Sequence, residues 1–509
     1  MIVPTVSLLY LFCFIDRANI GMQELSASFS FIELTCITGN AKIAGFETDL
    51  GMKGYDYNIV LSVFYISYIV FGTSVHWRNS GSARLTNLEI PSNIACKWIG
   101  PGWFIPFISL CFGICSVGTA FVSTKAQACG VRFLLGVFEA GMMPGIAYYL
   151  SRWYRRSELT FRLGLYIVMA PLAGAFGGLL ASGILRLDKF GSTKSWEMIF
   201  AIEGIITIAL SVISFFTLTD RPETARWLSQ EEKDLAVARV KSERVQQTEV
   251  LDKLDTTKTL RGILSPITLG TSLIFLLNNI TVQGLAFFAP TIVGTIYPKE
   301  STVSKQLKTV PPYVVGAFFV LLFPFASWRY DRRIIFFIMS APLMMIGYIM
   351  FLATDSTPGD SMIRYGATFI IASGAYAFGP LTNGNVASNV VSDTARGSAI
   401  GTNVRPSPSI ILFSLITQLT HAQVMFGNIG GLIATWSFLP NDKPDYKIGN
   451  GINLATSSLT LITSILMLFW MKWDNRNRDK KDVDQLLAGK SQKEIQDLDW
   501  KHPAFRWKP

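Results

Sequence analysis

Apolar runs recur along all 509 residues, each near the ~20 residues that carry a helix across a hydrocarbon layer. They fall at about 2–21, 57–95 (interrupted), 103–122, 127–150, 163–185, 196–218, 267–296, 312–328, 334–352, 365–386, 398–439 (interrupted) and 452–473. Without water, every backbone N–H and C=O must be paired within the protein, which leaves helices or closed barrels. The runs lack the alternation of barrel strands. The expectation is an all-α polytopic membrane protein of about twelve transmembrane helices. Six spans on each side of one long polar stretch suggest a duplicated, two-lobed architecture. Its parts are a first lobe at 1–218, a cytosolic central loop at 219–265, a second lobe at 266–473 and a cytosolic tail at 474–509.

Only 16% of residues are charged, against about a quarter in soluble chains. The net charge of +10 does not point to nucleic acid, because the basic residues sit in short loops between spans. One set of loops holds Arg152, Arg155, Arg156, Arg162, Arg329, Arg332 and Arg333, and the tail adds Arg476, Arg478, Lys480 and Lys481. The opposite loops are poorer and carry lysine, such as Lys189, Lys194, Lys299 and Lys443. Positive charge collects on the cytosolic side, so both termini are expected there. Met1 opens directly into an apolar run, which reads as a first span and not as a cleaved signal. Ser229-Gln-Glu-Glu232 and Ser491-Gln-Lys-Glu494 are capping boxes that predict amphipathic helices in the central loop and tail.

All six cysteines lie in the first quarter, mostly inside apolar runs, and read as small hydrophobes. His76, His421 and His502 have no metal spacing, and no phosphate-cradling GxxxxGK[ST] occurs. With no nucleophile–base set either, neither an enzyme, a metal site nor a cofactor is expected.

Ionisable residues inside apolar spans are costly, at least ~2.5 kcal/mol each, and usually face a protein interior or a water-filled path. Arg132 and Glu139 are seven apart on one helical run, in which Gly136, Gly141 and Gly145 supply a small-residue face. They read either as a structural ion pair or as part of a transport pathway. In the first span Asp16 and Arg17 are adjacent, about 100° apart around a helix, so they must serve different partners. The planar fork of Arg17 suits a carboxylate, which makes it and Arg132 candidates for substrate binding. Asp16 and Glu139 are candidates for proton coupling, with Glu203 ranked below them. In the second half Asn279 and Gln283, and Asn385 and Asn389, are pairs four apart that suit either a polar cavity or hydrogen bonding between helices.

Several stretches together carry a family resemblance: Phe14-Ile-Asp-Arg-Ala-Asn-Ile-Gly21, Lys97-Trp-Ile-Gly-Pro-Gly-Trp-Phe-Ile-Pro106, Arg132–Gly145, Asp220-Arg-Pro-Glu-Thr-Ala-Arg-Trp227, Asp331-Arg-Arg333 and Gly427-Asn-Ile-Gly-Gly-Leu-Ile433. On these the chain resembles the major facilitator superfamily and, within it, the fungal anion:cation symporter branch. Within that branch it looks closest to high-affinity nicotinic acid transporters, with allantoate permeases nearby. The resemblance implies twelve helices in two six-helix lobes and alternating access. It also implies proton-coupled uptake of a small organic anion, with the proton as coupling ion and no other cofactor. By motif position the branch's substrate and proton residues fall on Asp16, Arg17, Arg132 and Glu139. A monomeric symporter in the plasma membrane, its partners the anion, the proton and the lipid bilayer, is the expectation. Alternatives are a permease for another carboxylate, such as allantoate or pantothenate, and a non-transporting nutrient sensor on the same fold.

Three segments break the pattern: 22–39, 72–88 and 405–424. Deleting each restores it, so they read as retained introns.

Overall fold

The computed structural model describes residues 2–18, 49–53, 55–72, 96, 99–154, 162, 165–184, 195–242, 265–390, 426–442, 444–487 and 503–508. Regular structure among them is helical. The first lobe comprises α1 (Ile2–Ala18), α2 (Asp56–Gly72), α3 (Pro101–Thr119), α4 (Lys125–Glu139), α5 (Met142–Trp153), α6 (Met169–Ile184) and α7 (Ser195–Thr217). After α8 (Gln230–Ser242) comes the second lobe. It contains α9 (Pro266–Ile296), α10 (Thr302–Tyr330), α11 (Ile334–Ala353), α12 (Ser361–Ala375), α13 (Phe378–Val390), a helical segment 426–434 and α14 (Lys447–Asp479). A short α15 (Val483–Leu487) follows.

Local chemistry sets the helix ends. Thr124 caps α4, taking the Gln127 N–H while the Gln127 side chain returns to the Thr124 N–H. Ser265 accepts from the Thr268 N–H at the start of α9, with Pro266 in the first helical position. The expected capping box at α8 is present, with Ser229 N–H on Glu232 and Glu232 N–H on the Ser229 hydroxyl.

Among the described residues, seven helices are long and apolar enough to cross a bilayer unaided. The fourth and tenth expected spans are each broken in two, into α4 and α5, and into α12 and α13. At 17 residues, α1 and α2 each reach about 26 Å. The suspected insertions at 22–39 and 405–424 lie outside the described residues, as does 72–88 apart from Gly72, the last residue of α2. The Ser491–Glu494 capping box also lies outside them.

Among the described residues, the lobes meet chiefly along two seams. In one, α6 crosses α10, where Gly174 admits the Tyr313 ring; a Cβ there would come within 2.7 Å of it. In the other, α2 crosses the segment 426–436. Asn58 Nδ2 donates to the Thr435 carbonyl (2.6 Å), and Trp436 Nε1 donates to the Ser62 hydroxyl (3.0 Å). A Cβ on Gly431 would sit 2.4 Å from the Tyr65 ring. An apolar core continues from the first lobe into Phe288, Ile292, Ile296 and Phe438 of the second. The halves are therefore closed on the side carrying the loops near 49–55, 297–301 and 439–446.

Toward the opposite end, Trp153 of α5 stacks on Trp227 after the last span of the first lobe (5.6 Å, 11°). The segment 503–508 docks on the second lobe. Trp507 is buried there, and its backbone exchanges hydrogen bonds with the side chain of Asn475 at 2.9 Å each.

Candidate functional site: an ion pair at the cavity between the lobes

One face of α1 carries Tyr10, Cys13, Phe14 and Arg17, spaced three, four and seven residues apart, and this face lines a cavity of about 100 Å³ between the lobes. Such a volume is small beside drug-sized ligand sites and suits a compact solute. Arg17 donates to Oε1 of Glu139 through Nε (2.9 Å) and also through its second terminal nitrogen. The Cys13 thiol donates to the same oxygen at 3.1 Å. All the donors to Glu139 among the described residues converge on Oε1. The guanidinium also lies 5.2 Å from the Phe14 ring and 5.4 Å from those of Phe64 and Tyr68, within cation–π range. Arg17 is 8% exposed and Glu139 2%. At this depth neither charge is tolerable alone, and removing one partner of such a pair costs ~3–5 kcal/mol.

Asp16 turns away from the cavity, as adjacency on a helix requires. It accepts from Ser116 of α3 (2.9 Å) and Thr207 of α7 (3.2 Å). Glu203, one turn before Thr207, is fully buried on the same helix.

The facing wall, from the second lobe, is uncharged and rich in carboxamides: Asn278, Asn279, Gln283 and Asn428. Asn278 donates to the Ala375 carbonyl (3.0 Å) and Asn279 to the Gly427 carbonyl. Gln283 is buried, and its Oε1 has no hydrogen-bond partner among the described residues.

Both broken spans interrupt at this cavity. α4 ends on Glu139 and α5 begins at Met142; α12 ends on Ala375 and α13 begins at Phe378. Met142, Met143 and Gly379 line the cavity together with Glu139 and Ala375, so each break brings the end of one half-helix and the start of the next to the same place.

Of the residues singled out from sequence, Arg17, Glu139, Asn279 and Gln283 line the cavity. Arg132 does not line it; it is buried in the first lobe within electrostatic range of Asp16 and Glu139, with Nε lacking a hydrogen-bond partner among the described residues. Asn385 and Asn389 share a helix face that does not line it. Asn385 donates to the Thr271 hydroxyl (2.9 Å), and Asn389 exchanges hydrogen bonds with the Lys508 backbone (3.0 and 2.7 Å). Spacing gives the shared face but not its direction. Cys13, read as a small hydrophobe, is a hydrogen-bond donor to Glu139. Its place one turn before Arg17 was the available signal.

The pattern of the Major Facilitator Superfamily matches residues 25–404. The MFS transporter prlL of Fungal sp. (strain NRRL 50135) is 32% identical over 79% of this chain and 74% of that protein. An uncharacterized transporter of Schizosaccharomyces pombe is 30% identical over 99% of this chain and 88% of its own length. Among solved structures, a bacterial homolog of the human lysosomal transporter Spinster, in an inward-facing and occupied conformation, superposes with a TM-score of 0.58 at 12% identity. That match covers 92% of this chain and 95% of that one. By family pattern, relatives and two-lobed helical fold, the chain belongs to the Major Facilitator Superfamily and is a multi-pass membrane transporter.

Proposed function

We propose that the protein carries a small organic anion, a nicotinate-like monocarboxylate, together with a proton into the cell across the plasma membrane by alternating access. The observation that carries this reading is the Arg17–Glu139 pair on the wall of the cavity between the lobes. A carboxylate entering the cavity competes with Glu139 for the guanidinium fork, which matches it bidentately. If it wins, Glu139 is left buried and uncompensated, and taking up a proton removes that cost. Oε2, which receives no donor among the described residues, is the open oxygen for that proton. Anion and proton therefore bind together, and leave together when Arg17 closes back on Glu139.

With both termini in the cytosol, the closed seams at Asn58–Thr435 and Gly174–Tyr313 face outward. The cycle then requires them to part. Asp16, anchored on Ser116 and Thr207, serves as a second proton-holding group behind the cavity, and Arg132 as a reserve cation near it.

A second reading, a carboxylate bearing hydrogen-bonding groups at its far end such as allantoate or pantothenate, draws support from the carboxamide wall opposite Arg17. The test is uptake of a labelled monocarboxylate panel into transporter-deficient yeast across external pH. Uptake of one member that rises with acidity supports the reading. Uptake of none, or uptake indifferent to pH, overturns it.

A further inference from the structure

Three donor atoms meet at one oxygen of Glu139, and only two belong to the arginine. The third is the Cys13 thiol, 3.1 Å from Oε1 on a residue 2% exposed, one helical turn before Arg17. A hydrogen bond to the ionised form of an acid favours that form. We propose that Cys13 is a positioning residue for the coupling carboxylate: its thiol holds Oε1 in place and helps to set how readily Glu139 takes a proton when Arg17 turns to the substrate. This rests on Glu139 being the coupling acid.

The geometry gives the thiol a role that Arg17 cannot fill. When the guanidinium leaves for a substrate carboxylate, Cys13 is the remaining donor on Oε1 among the described residues. It therefore acts in the substrate-bound state, when the proton must be received. An S–H group is a weak donor, so it steadies the carboxylate without preventing protonation. Other titratable or charged groups around Glu139 are Tyr10, Asp16 and Arg17 of α1, Tyr65 and Tyr68 of α2, and Arg132 of its own helix. Tyr376 lines the cavity from the second lobe, and Glu203 of α7 lies behind Asp16. Of these, Arg17 alone donates to Oε1 among the described residues.

Two substitutions separate this role from packing. Cys13→Ala removes the donor and disfavours the carboxylate, so the proton is held more tightly. The pH midpoint of uptake should rise by roughly 0.5–1 unit, a threefold to tenfold change in proton concentration. Cys13→Ser supplies a stronger O–H donor and should leave the midpoint at or below that of the wild type. A fall in rate with no movement of the midpoint in either variant, or an equal shift in both, overturns the proposal. Infrared titration of the protonated carboxyl band in purified protein, with Glu139→Gln as blank, reads the same order without transport. If wild-type uptake ignores pH, the coupling reading fails and the Cys13 proposal with it; if uptake follows pH but the two variants do not show this order, the Cys13 proposal alone fails.

Discussion

Arg17 places two guanidinium nitrogens on a single oxygen of Glu139, 122 residues further along the chain. The contact joins the first span to the end of a half-helix in the fourth, at the wall of the cavity. The other carboxylate oxygen receives no donor among the described residues.

Glu139→Gln removes the titrating group while keeping a neutral hydrogen-bonding side chain of the same length. Accumulation driven by a pH gradient is expected to vanish, while exchange of labelled for unlabelled substrate across the membrane persists. Counterflow and net uptake in proteoliposomes measure the two separately.

Arg17→Lys keeps the positive charge but loses the planar fork. The half-saturating concentration of anion should rise about tenfold, equivalent to the ~1.4 kcal/mol lost with one charge-assisted contact. Uptake titrated against substrate in surface-expressed protein checks this.

Gly431→Ala attacks the closed seam. The added Cβ would stand 2.4 Å from the Tyr65 ring of the opposite lobe, and an aromatic wedged between two helices has little room to retreat. Closure should be blocked and uptake should fall by roughly tenfold or more. A thiol introduced by Ser62→Cys should label faster with an impermeant reagent than it does when residue 431 is glycine.

Arg364 of α12 is 2% exposed and donates to Asp445 (2.7 Å) in the loop ahead of α14, where the Ser356 N–H also donates (2.7 Å). Burial pushes the Asp445 carboxyl up, but these donors outweigh it and hold the group below its ordinary range. A lowered folded value adds stability above the ordinary carboxylate range and loses it as pH falls through the folded value. Asp445→Asn should therefore cost about 1–3 kcal/mol at neutral pH. The deficit should stay flat down to about pH 4 and shrink below that. Melting of the detergent-solubilised protein across pH measures it.

Most of the helical layout was legible because hydrocarbon demands long apolar runs. α3, α7, α9 and α11 begin and end within three residues of the runs that predict them. The breaks in the fourth and tenth spans were not, since Glu139-Ala-Gly-Met142 and Ala375-Tyr-Ala-Phe378 leave the surrounding apolar pattern uninterrupted. Seven-residue spacing placed Arg132 and Glu139 on one face, yet Glu139 pairs with Arg17, a long-range contact that no local periodicity encodes. The direction of Asn389 was open for a related reason. Its partner is the Lys508 backbone, and pairings with a distant tail leave no trace in helical spacing.

The interruptions after Glu139 and Ala375 fall at matching places in the two lobes, each giving a long span a point at which to bend. A tilt of α5 or α13 about that point would widen or narrow the space beside Arg17 while the first half of each span stays packed.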